Sequence, residues 1–217
     1  MKKYIIVLVF LFALTGCVNI NNLNNTEVID EIFRTDAMKP NVAMSGYKIY
    51  LPKNMTITKD KENNNIIYSS FDKYYLYVDI ISYYNKTNNE YKINTEKSAI
   101  YSNIVNYNNR KGYVLVTEYK DKYFVESMYN YGKIEVITED YKTAIANSLI
   151  ILRSIEFNDK IIESLIGNNI LNYDEEEFNL LGPNTQTDTF LQYEQNDRYE
   201  DIDNELPDED IIDIEEE

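Results

Sequence analysis

The chain contains no histidine and no tryptophan, and only one cysteine, six glycines and four prolines among its 217 residues. Without histidine, and with a single thiol, it can build neither a Ser-His-Asp site nor a Cys-His site nor a histidine-based metal site. No glycine-rich phosphate-binding loop is present in the sequence. These absences remove the commonest arrangements for hydrolytic and transfer chemistry, and the sequence predicts a protein that is not an enzyme and needs no cofactor.

The one long apolar run lies near the N-terminus, where Tyr4 to Leu14 follow Lys2 and Lys3. As a helix, this run would be about 17 Å long, whereas the hydrocarbon core of a bilayer is about 30 Å thick. A short basic segment, a short apolar segment and small residues at the exit are the parts of a secretory signal peptide. We therefore predict that residues 1–16 are a signal peptide.

The apolar run ends in Leu14, Thr15, Gly16 and Cys17, and this stretch resembles the lipobox of bacterial lipoproteins. The resemblance implies that a signal peptidase recognises Leu14, Thr15 and Gly16, that cleavage follows Gly16, and that Cys17 carries a diacylglyceryl group. The alternatives are a generic secretory signal with an incidental cysteine, or a short buried helix with a buried thiol. The odd cysteine count argues against the first, because secreted domains held by disulfides have an even number.

A diacylated Cys17 would hold the protein stably on a membrane, since two acyl chains anchor far better than one. We expect the extracytoplasmic face of the cytoplasmic membrane, or the outer membrane where the envelope has two. Residues 17–25 are interpreted as a flexible tether, and eight extended residues reach about 26 to 29 Å. The folded part should lie close to the lipid.

Charge is distributed unevenly along the chain. There are 37 acidic and 21 basic residues in all, but residues 194–217 contain thirteen acids and only Arg198 as a base. Such a composition predicts a disordered acidic tail, either a solvated segment that keeps the domain off anionic lipid or a binding segment for a basic partner or divalent cations. Nucleic acid is excluded as a partner for so acidic a chain.

Hydrophobic periodicity predicts one α+β domain over residues 26–158, with an extension over 159–193 docked on it. We expect a helix capped by Thr26 and running to about Thr35, and a further helix within residues 96–103. Strands are predicted at 47–51, 66–69 and 74–84, with residues 61–65 as a turn.

The clearest pattern begins after Gly112, where runs 113–119, 122–131 and 133–138 alternate and are joined by short turns. It predicts an antiparallel meander, with Gly132 supplying a positive φ in the second turn. Thr138 is expected to cap a helix over residues 141–154 whose apolar face, including Leu149, crosses the sheet. The predicted fold class is an antiparallel β-sheet meander packed with helices.

This order of a helix, the strand "YKIYLP", an antiparallel meander and a closing amphipathic helix before "SIEF" resembles the PsbP-like α/β sandwich over residues 41–158. The resemblance implies a non-enzymatic accessory or binding module attached to a membrane complex. It carries no functional residue over, because no site motif of that family is matched.

Two sets of side chains are candidates for a functional site. Four carboxyls in predicted strands could converge as an acid–base pair, but the favoured interpretation is that they are polar outward positions of half-exposed strands: Asp79, Glu118, Glu126 and Glu135. Seven tyrosines could form an aromatic surface that stacks sugars or peptides, although sheet propensity and core filling explain them as well: Tyr75, Tyr77, Tyr83, Tyr119, Tyr123, Tyr129 and Tyr131.

Two functions follow from the sequence. The first is a lipid-anchored binding or scaffold protein of the bacterial cell envelope, with a membrane partner and either an envelope protein or a glycan as ligand. The second is a carboxylate-dependent envelope enzyme that acts on glycans.

Overall fold

The structure is a computed structural model, and it describes residues 20–59, 64–87, 91–93, 99–167 and 185–187. The predicted signal peptide, the lipobox and the acidic tail lie outside these residues. The described helices are α1 (Asn25–Arg34), α2 (Ile80–Tyr84), α3 (Tyr141–Arg153) and α4 (Asp159–Gly167), and a 3-10 turn covers Ile20–Asn22. The described strands are β1 (Val42–Ala43), β2 (Tyr47–Ile49), β3 (Thr56–Lys59), β4 (Asn64–Tyr68), β5 (Lys73–Val78), β6 (Tyr91–Ile93), β7 (Ala99–Tyr107), β8 (Arg110–Tyr119), β9 (Lys122–Tyr129), β10 (Gly132–Thr138), β11 (Glu156–Phe157) and β12 (Thr185–Thr187).

The centre of the fold is a seven-stranded antiparallel sheet in the order β3-β4-β5-β10-β9-β8-β7. The predicted meander is confirmed as β8, β9 and β10, and Val125 lies opposite both Val116 and Val136. Two smaller sheets accompany it, β1-β2-β11 and β12-β6. Antiparallel sheets combined with helices confirm the predicted α+β class.

Helix α3 confirms the predicted apolar face, because Ile145, Leu149 and Leu152 are fully buried. It packs against β9 and β10, and α1 packs beside it with Val28, Ile29, Ile32 and Phe33 in the same core. The sheet β1-β2-β11 lies on the same side of the large sheet, where the Asn65 side-chain amide donates to the Tyr47 hydroxyl at 2.9 Å. These elements together build the main hydrophobic core.

Both helix caps lie near, but not at, the predicted threonines. Asn24, not Thr26, caps α1, because its side chain accepts from the Glu27 amide at 2.9 Å while the Glu27 carboxylate accepts from the Asn24 amide at 2.8 Å. Asp140, not Thr138, caps α3 by accepting from the Thr143 amide at 3.1 Å. At α1, the reciprocal capping box satisfies two backbone amides, whereas a single threonine hydroxyl would satisfy one.

Three predicted elements of the N-terminal half are corrected. The strand predicted over 74–84 ends at Val78, because the Asp79 carboxylate accepts from the Ser82 amide at 2.7 Å and starts α2. Of the helix predicted within 96–103, residues 99–103 are the first part of β7, which pairs with β8, and residues 96–98 lie outside the described residues. Of the turn predicted over 61–65, Asn64 and Asn65 are instead buried in β4, and residues 61–63 lie outside the described residues.

The β9–β10 turn uses Gly132 differently from the prediction. The positive φ angles belong to Asn130 (54°) and Tyr131 (61°). Gly132 is needed for close approach, because a Cβ there would lie 2.7 Å from both the Ile155 and the Leu152 methyl groups. The glycine therefore makes room for one core side chain in the last turn of α3, Leu152, and one just after it, Ile155.

The described part of the segment after residue 158 contacts the rest of the chain. Ile162 of α4 is fully buried, and a Cβ on Gly46 would lie 3.1 Å from it. Farther along, β12 pairs with β6, with Gln186 opposite Lys92. Within the described residues, no helix is long and apolar enough to cross a bilayer.

Candidate functional site

The large sheet has two different faces, and strand alternation assigns each side chain to one of them. The helical face contacts α1 and α3 and contains Val116, Val125 and Val136. The opposite face contains Leu115, Glu126, Glu135 and Tyr75 in one row across four strands. The described strand β6 lies against β8 and β7. The buried charged side chains of these strands lie on the opposite face: Glu126, Lys133 and Glu135.

Four side chains of the opposite face form a buried group that we call the carboxyl cluster: Tyr113, Glu126, Lys133 and Glu135. Glu126 and Glu135 lie directly opposite each other on β9 and β10. The Tyr113 hydroxyl donates to Glu126 Oε1 at 2.6 Å, and Lys133 Nζ donates to Glu135 Oε1 at 2.9 Å. Two of the four predicted carboxyls are thus brought together.

The electrostatics of the carboxyl cluster favour one bound proton. Burial raises the pKa of the Glu126 carboxyl, and the negative charge of Glu135 raises it further, while the Lys133 ammonium and the Tyr113 hydroxyl act in the other direction. One ammonium can neutralise one carboxylate, so the second carboxyl is held more readily as the neutral acid. Of the two carboxyls, Glu126 is therefore the one that retains a proton more readily.

Access decides what the carboxyl cluster can do chemically. Glu126 is 3% exposed and Glu135 is fully buried, so the interpretation of these two as outward positions is wrong. A glycan would have to reach both carboxyls for hydrolysis. As described, the arrangement is that of a buried ion pair beside a neutral acid.

The other two predicted carboxyls lie elsewhere. Asp79 is buried at the start of α2, and burial raises the pKa of its carboxyl. Glu118 is exposed near the end of β8 and lies opposite Tyr123, in the register of the helical face. Neither is part of the carboxyl cluster.

The seven predicted tyrosines do not build one aromatic surface. Tyr77 and Tyr129 are each only 2% exposed, and they lie on different faces of the sheet because Tyr77 is opposite Lys133 while Tyr129 is opposite Gly132. The other five are partly buried: Tyr75, Tyr83, Tyr119, Tyr123 and Tyr131. For Tyr77 and Tyr129 the alternative interpretation applies, because both are buried strand residues that fill the core.

Two of the tyrosines do meet, in a small aromatic group with Phe157. The rings of Tyr83 and Phe157 stack at 3.7 Å, and Tyr131 lies edge-on to Tyr83 at 5.7 Å. The Tyr83 hydroxyl donates to Asp159 at 2.9 Å, and the Tyr131 hydroxyl donates to the Thr87 carbonyl at 3.1 Å. With hydroxyls and rings engaged internally, this group ties α2, the β9–β10 turn and the start of α4 together.

Sequence reasoning missed the edge of the sheet. Strand β7 is outermost and nine residues long, and it contains neither a charge nor a proline. Its side chains Ile100, Ile104 and Tyr107 are all more than one third exposed. Among the described strands, only β8 pairs with it. Edge strands in soluble proteins usually contain a lysine or a proline that prevents pairing with other chains. Had this segment been predicted as a strand, its lack of both would have indicated an unprotected edge.

Comparison with protein families matches residues 1–17 to the model described as the prokaryotic membrane lipoprotein lipid attachment site. This match supports the interpretation of Cys17 as the attachment point of a membrane-anchored lipoprotein. No curated protein and no solved structure matches the chain. The resemblance to the PsbP-like sandwich therefore receives no support.

Among the described residues, no group of three or more acidic, cysteine or histidine side chains is placed to hold a metal ion.

Proposed function

We propose that this chain is a lipid-anchored binding protein of the bacterial cell envelope that acts without catalysis and holds an extended segment of another envelope protein at β7. The lipid attachment site supports the location. The observation that carries the binding activity is the uncharged, nine-residue edge strand β7 with its exposed isoleucines.

An outermost strand presents backbone N–H and C=O groups along its free side, and an added strand from a partner can pair with them. Backbone pairing supplies affinity, while alternate side chains supply specificity. Ile104, which is 48% exposed, and Ile100 would give an incoming strand apolar contacts. Arg110 and Lys111, exposed at the start of β8, favour a partner segment with an acidic residue at that end.

A carboxylate-dependent enzyme acting on glycans is the second candidate, and the opposed Glu126 and Glu135 are the observation that favours it. Their burial supports the binding function instead, because a substrate cannot approach carboxyls that are covered and bonded to Tyr113 and Lys133. Loss of a glycan-cleaving activity of the purified protein in Glu135→Gln would favour the enzyme.

In-cell photo-crosslinking tests the binding proposal. A photoreactive amino acid in place of Ile104 should give a crosslink to a discrete envelope protein, whereas the same amino acid in place of Thr58, exposed on the other edge strand β3, should not. Adding Ile100→Lys to the Ile104 probe should abolish the crosslink, because a charge on the edge disfavours strand addition.

Equal crosslinking from both edges, or a crosslink at Ile104 that survives Ile100→Lys, would overturn strand addition at β7. A crosslinked species with twice the mass of this chain would identify a second copy of the chain as the partner and would contradict a separate envelope protein.

A further inference from the structure

Phe71 is the most exposed large apolar side chain of the described residues, with 96% of its surface accessible. It lies at the tip of the β4–β5 hairpin in a closed turn. The Ser69 amide donates to the Asp72 carbonyl at 2.9 Å, and the Asp72 amide donates to the Ser69 hydroxyl oxygen at 2.9 Å. The turn therefore holds the phenyl ring away from the domain.

The hairpin tip lies at one end of the large sheet, which we call the anchor end and define by turn 69–72, turn 119–122 and the start of α3. Strand register places Tyr74 beside Val136 and Tyr123 beside Thr138. The two turns are thus neighbours of the β10–α3 connection, where Lys122 pairs with Glu139 at 3.3 Å.

The chain also enters the domain at the anchor end. Lys142, in the first turn of α3, donates to the Leu23 carbonyl at 2.7 Å and to the Asn21 carbonyl at 3.5 Å. The 3-10 turn Ile20–Asn22 lies against α3. Residues 20–22, inside the segment interpreted as the tether, are therefore packed against the domain.

Chain length then places this end near the lipid. Only three residue steps separate Cys17 from Ile20, and even a fully extended chain spans about 10 to 11 Å over three residues. A lipid on Cys17 lies within that distance of the anchor end.

Two lysine–tyrosine pairs accompany Phe71 at the anchor end. Lys73 Nζ lies 5.6 Å from the centre of the Tyr68 ring, and Lys120 Nζ lies 5.2 Å from the centre of the Tyr119 ring. Tyrosines are enriched at the headgroup level of membranes, and lysines extend their ammonium groups toward phosphates.

The same end also carries acids, some of which are engaged with neighbouring groups. Asp140 caps α3, and Glu139 pairs with Lys122. Asp121 is exposed in the turn beside Lys120, and Asp72 of turn 69–72 is partly buried and hydrogen-bonded to the Thr138 side chain. The anchor end therefore presents an apolar tip and carries lysines and acids in similar number, in a chain of net charge −16.

We infer that Phe71 inserts into the headgroup region of the membrane that holds the Cys17 lipid, and that the anchor end of the domain faces this membrane. The occupant of the Phe71 surface is lipid, and the inference does not depend on strand addition at β7. A short tether keeps the ring at high effective concentration over the bilayer, so a contact that is weak in free solution becomes populated.

The absence of tryptophan permits a direct test on the full lipidated chain. Phe71→Trp introduces a single fluorophore at the tip, and Asn106→Trp, exposed near the far end of β7, introduces the matched control. The chains are reconstituted into phosphatidylcholine–phosphatidylglycerol vesicles with brominated acyl chains, which quench tryptophan on contact. We expect a blue-shifted, strongly quenched emission for Phe71→Trp and neither effect for Asn106→Trp.

A second measurement uses the full mature chain without lipid, prepared as Cys17→Ser. Phe71→Ser should lower its vesicle partition coefficient by roughly tenfold or more, since it removes the burial of a phenyl ring in the headgroup region and a factor of ten corresponds to about 1.4 kcal/mol. Equal quenching of both tryptophans, no quenching of either, or an unchanged partition coefficient would overturn the inference.

Discussion

At the scale of single residues, the carboxyl cluster shows how an antiparallel sheet can bury charge on the face away from its helices. Glu126 accepts from Tyr113, and Glu135 accepts from Lys133. Removing one partner of such a buried pair is destabilising because it leaves an unpaired charge or donor. The cluster couples the stability of the domain to pH through Glu126.

Glu126→Gln should flatten this pH dependence. The pKa of Glu126 is raised in the folded state, whereas an unfolded glutamate titrates near pH 4.3. The stabilisation from its bound proton is therefore complete below about pH 4.3 and is lost as the pH rises through the folded pKa, by about 1.4 kcal/mol per unit of pKa difference. The glutamine side chain has no acidic proton to lose, and its amide oxygen can still accept from the Tyr113 hydroxyl.

Urea unfolding at about pH 5 and about pH 8 measures the effect. The decrease in the free energy of unfolding over this interval should be smaller in Glu126→Gln than in the natural chain, and the control Glu118→Gln, exposed in β8, should leave it unchanged. An identical decrease in all three proteins would show that Glu126 holds no extra proton.

The sequence identified Glu126 and Glu135 as candidates, but it could not place them. Because side chains alternate along a strand, Glu126 and Val125 point to opposite sides of β9. The helices pack on the side that contains Val125. Both sides of these strands are buried, so the ordinary inference that the polar side faces water fails here. Periodicity within a strand does not reveal whether another part of the chain covers its polar side.

At the scale of elements, some helices and strands could be predicted from local sequence, whereas others are determined by the strands with which they pair. The segment from β8 to α3 was predictable because tight turns join its strands and an amphipathic pattern marks its helix. Strand β7 was not, because its polar and apolar residues suit a helix almost as well, and pairing with β8 decides the matter. The boundary at Asp79 was hidden by a continuous run of strand-favouring residues whose end depends on one capping side chain.

Helix α3 is the element on which the main core depends, and Leu149→Ala should lower the free energy of unfolding by about 2 to 5 kcal/mol. Leu149 is fully buried between α3 and the sheet, so the truncation leaves a cavity. Ile150→Ala, at a partly buried position of the same helix, is the matched control and should cost less. Chemical denaturation measures both, and equal losses would contradict the assigned face.

At the scale of the whole molecule, negative charge is concentrated in the C-terminal tail and not at the anchor end. The tail 194–217 carries a net charge of −12, while the anchor end presents lysines and an apolar tip. Electrostatic repulsion should keep so acidic a segment away from anionic lipid.

Deleting residues 194–217 should leave the melting temperature unchanged and increase adsorption of the unlipidated protein to anionic vesicles at low salt. The increase should shrink between 0.01 M and 0.1 M salt, as the Debye length falls from about 30 Å to about 10 Å. Thermal unfolding and vesicle sedimentation measure the two effects. A large drop in melting temperature would show that the tail packs on the domain and would contradict its predicted disorder.

The strand order of the large sheet has a consequence for how the chain folds. Every neighbouring pair of strands in it follows directly in sequence except β5 and β10. The three strands before this junction and the four after it can each form by local hairpin closure, which is fast. Joining Tyr74 to Val136 closes a much longer loop, whose entropy must be lost before the pairing gives any contact in return. The slow step in forming the sheet is therefore the pairing of β5 with β10 at its centre. Until these two strands pair, each of them is an exposed edge, although both are central strands in the folded sheet.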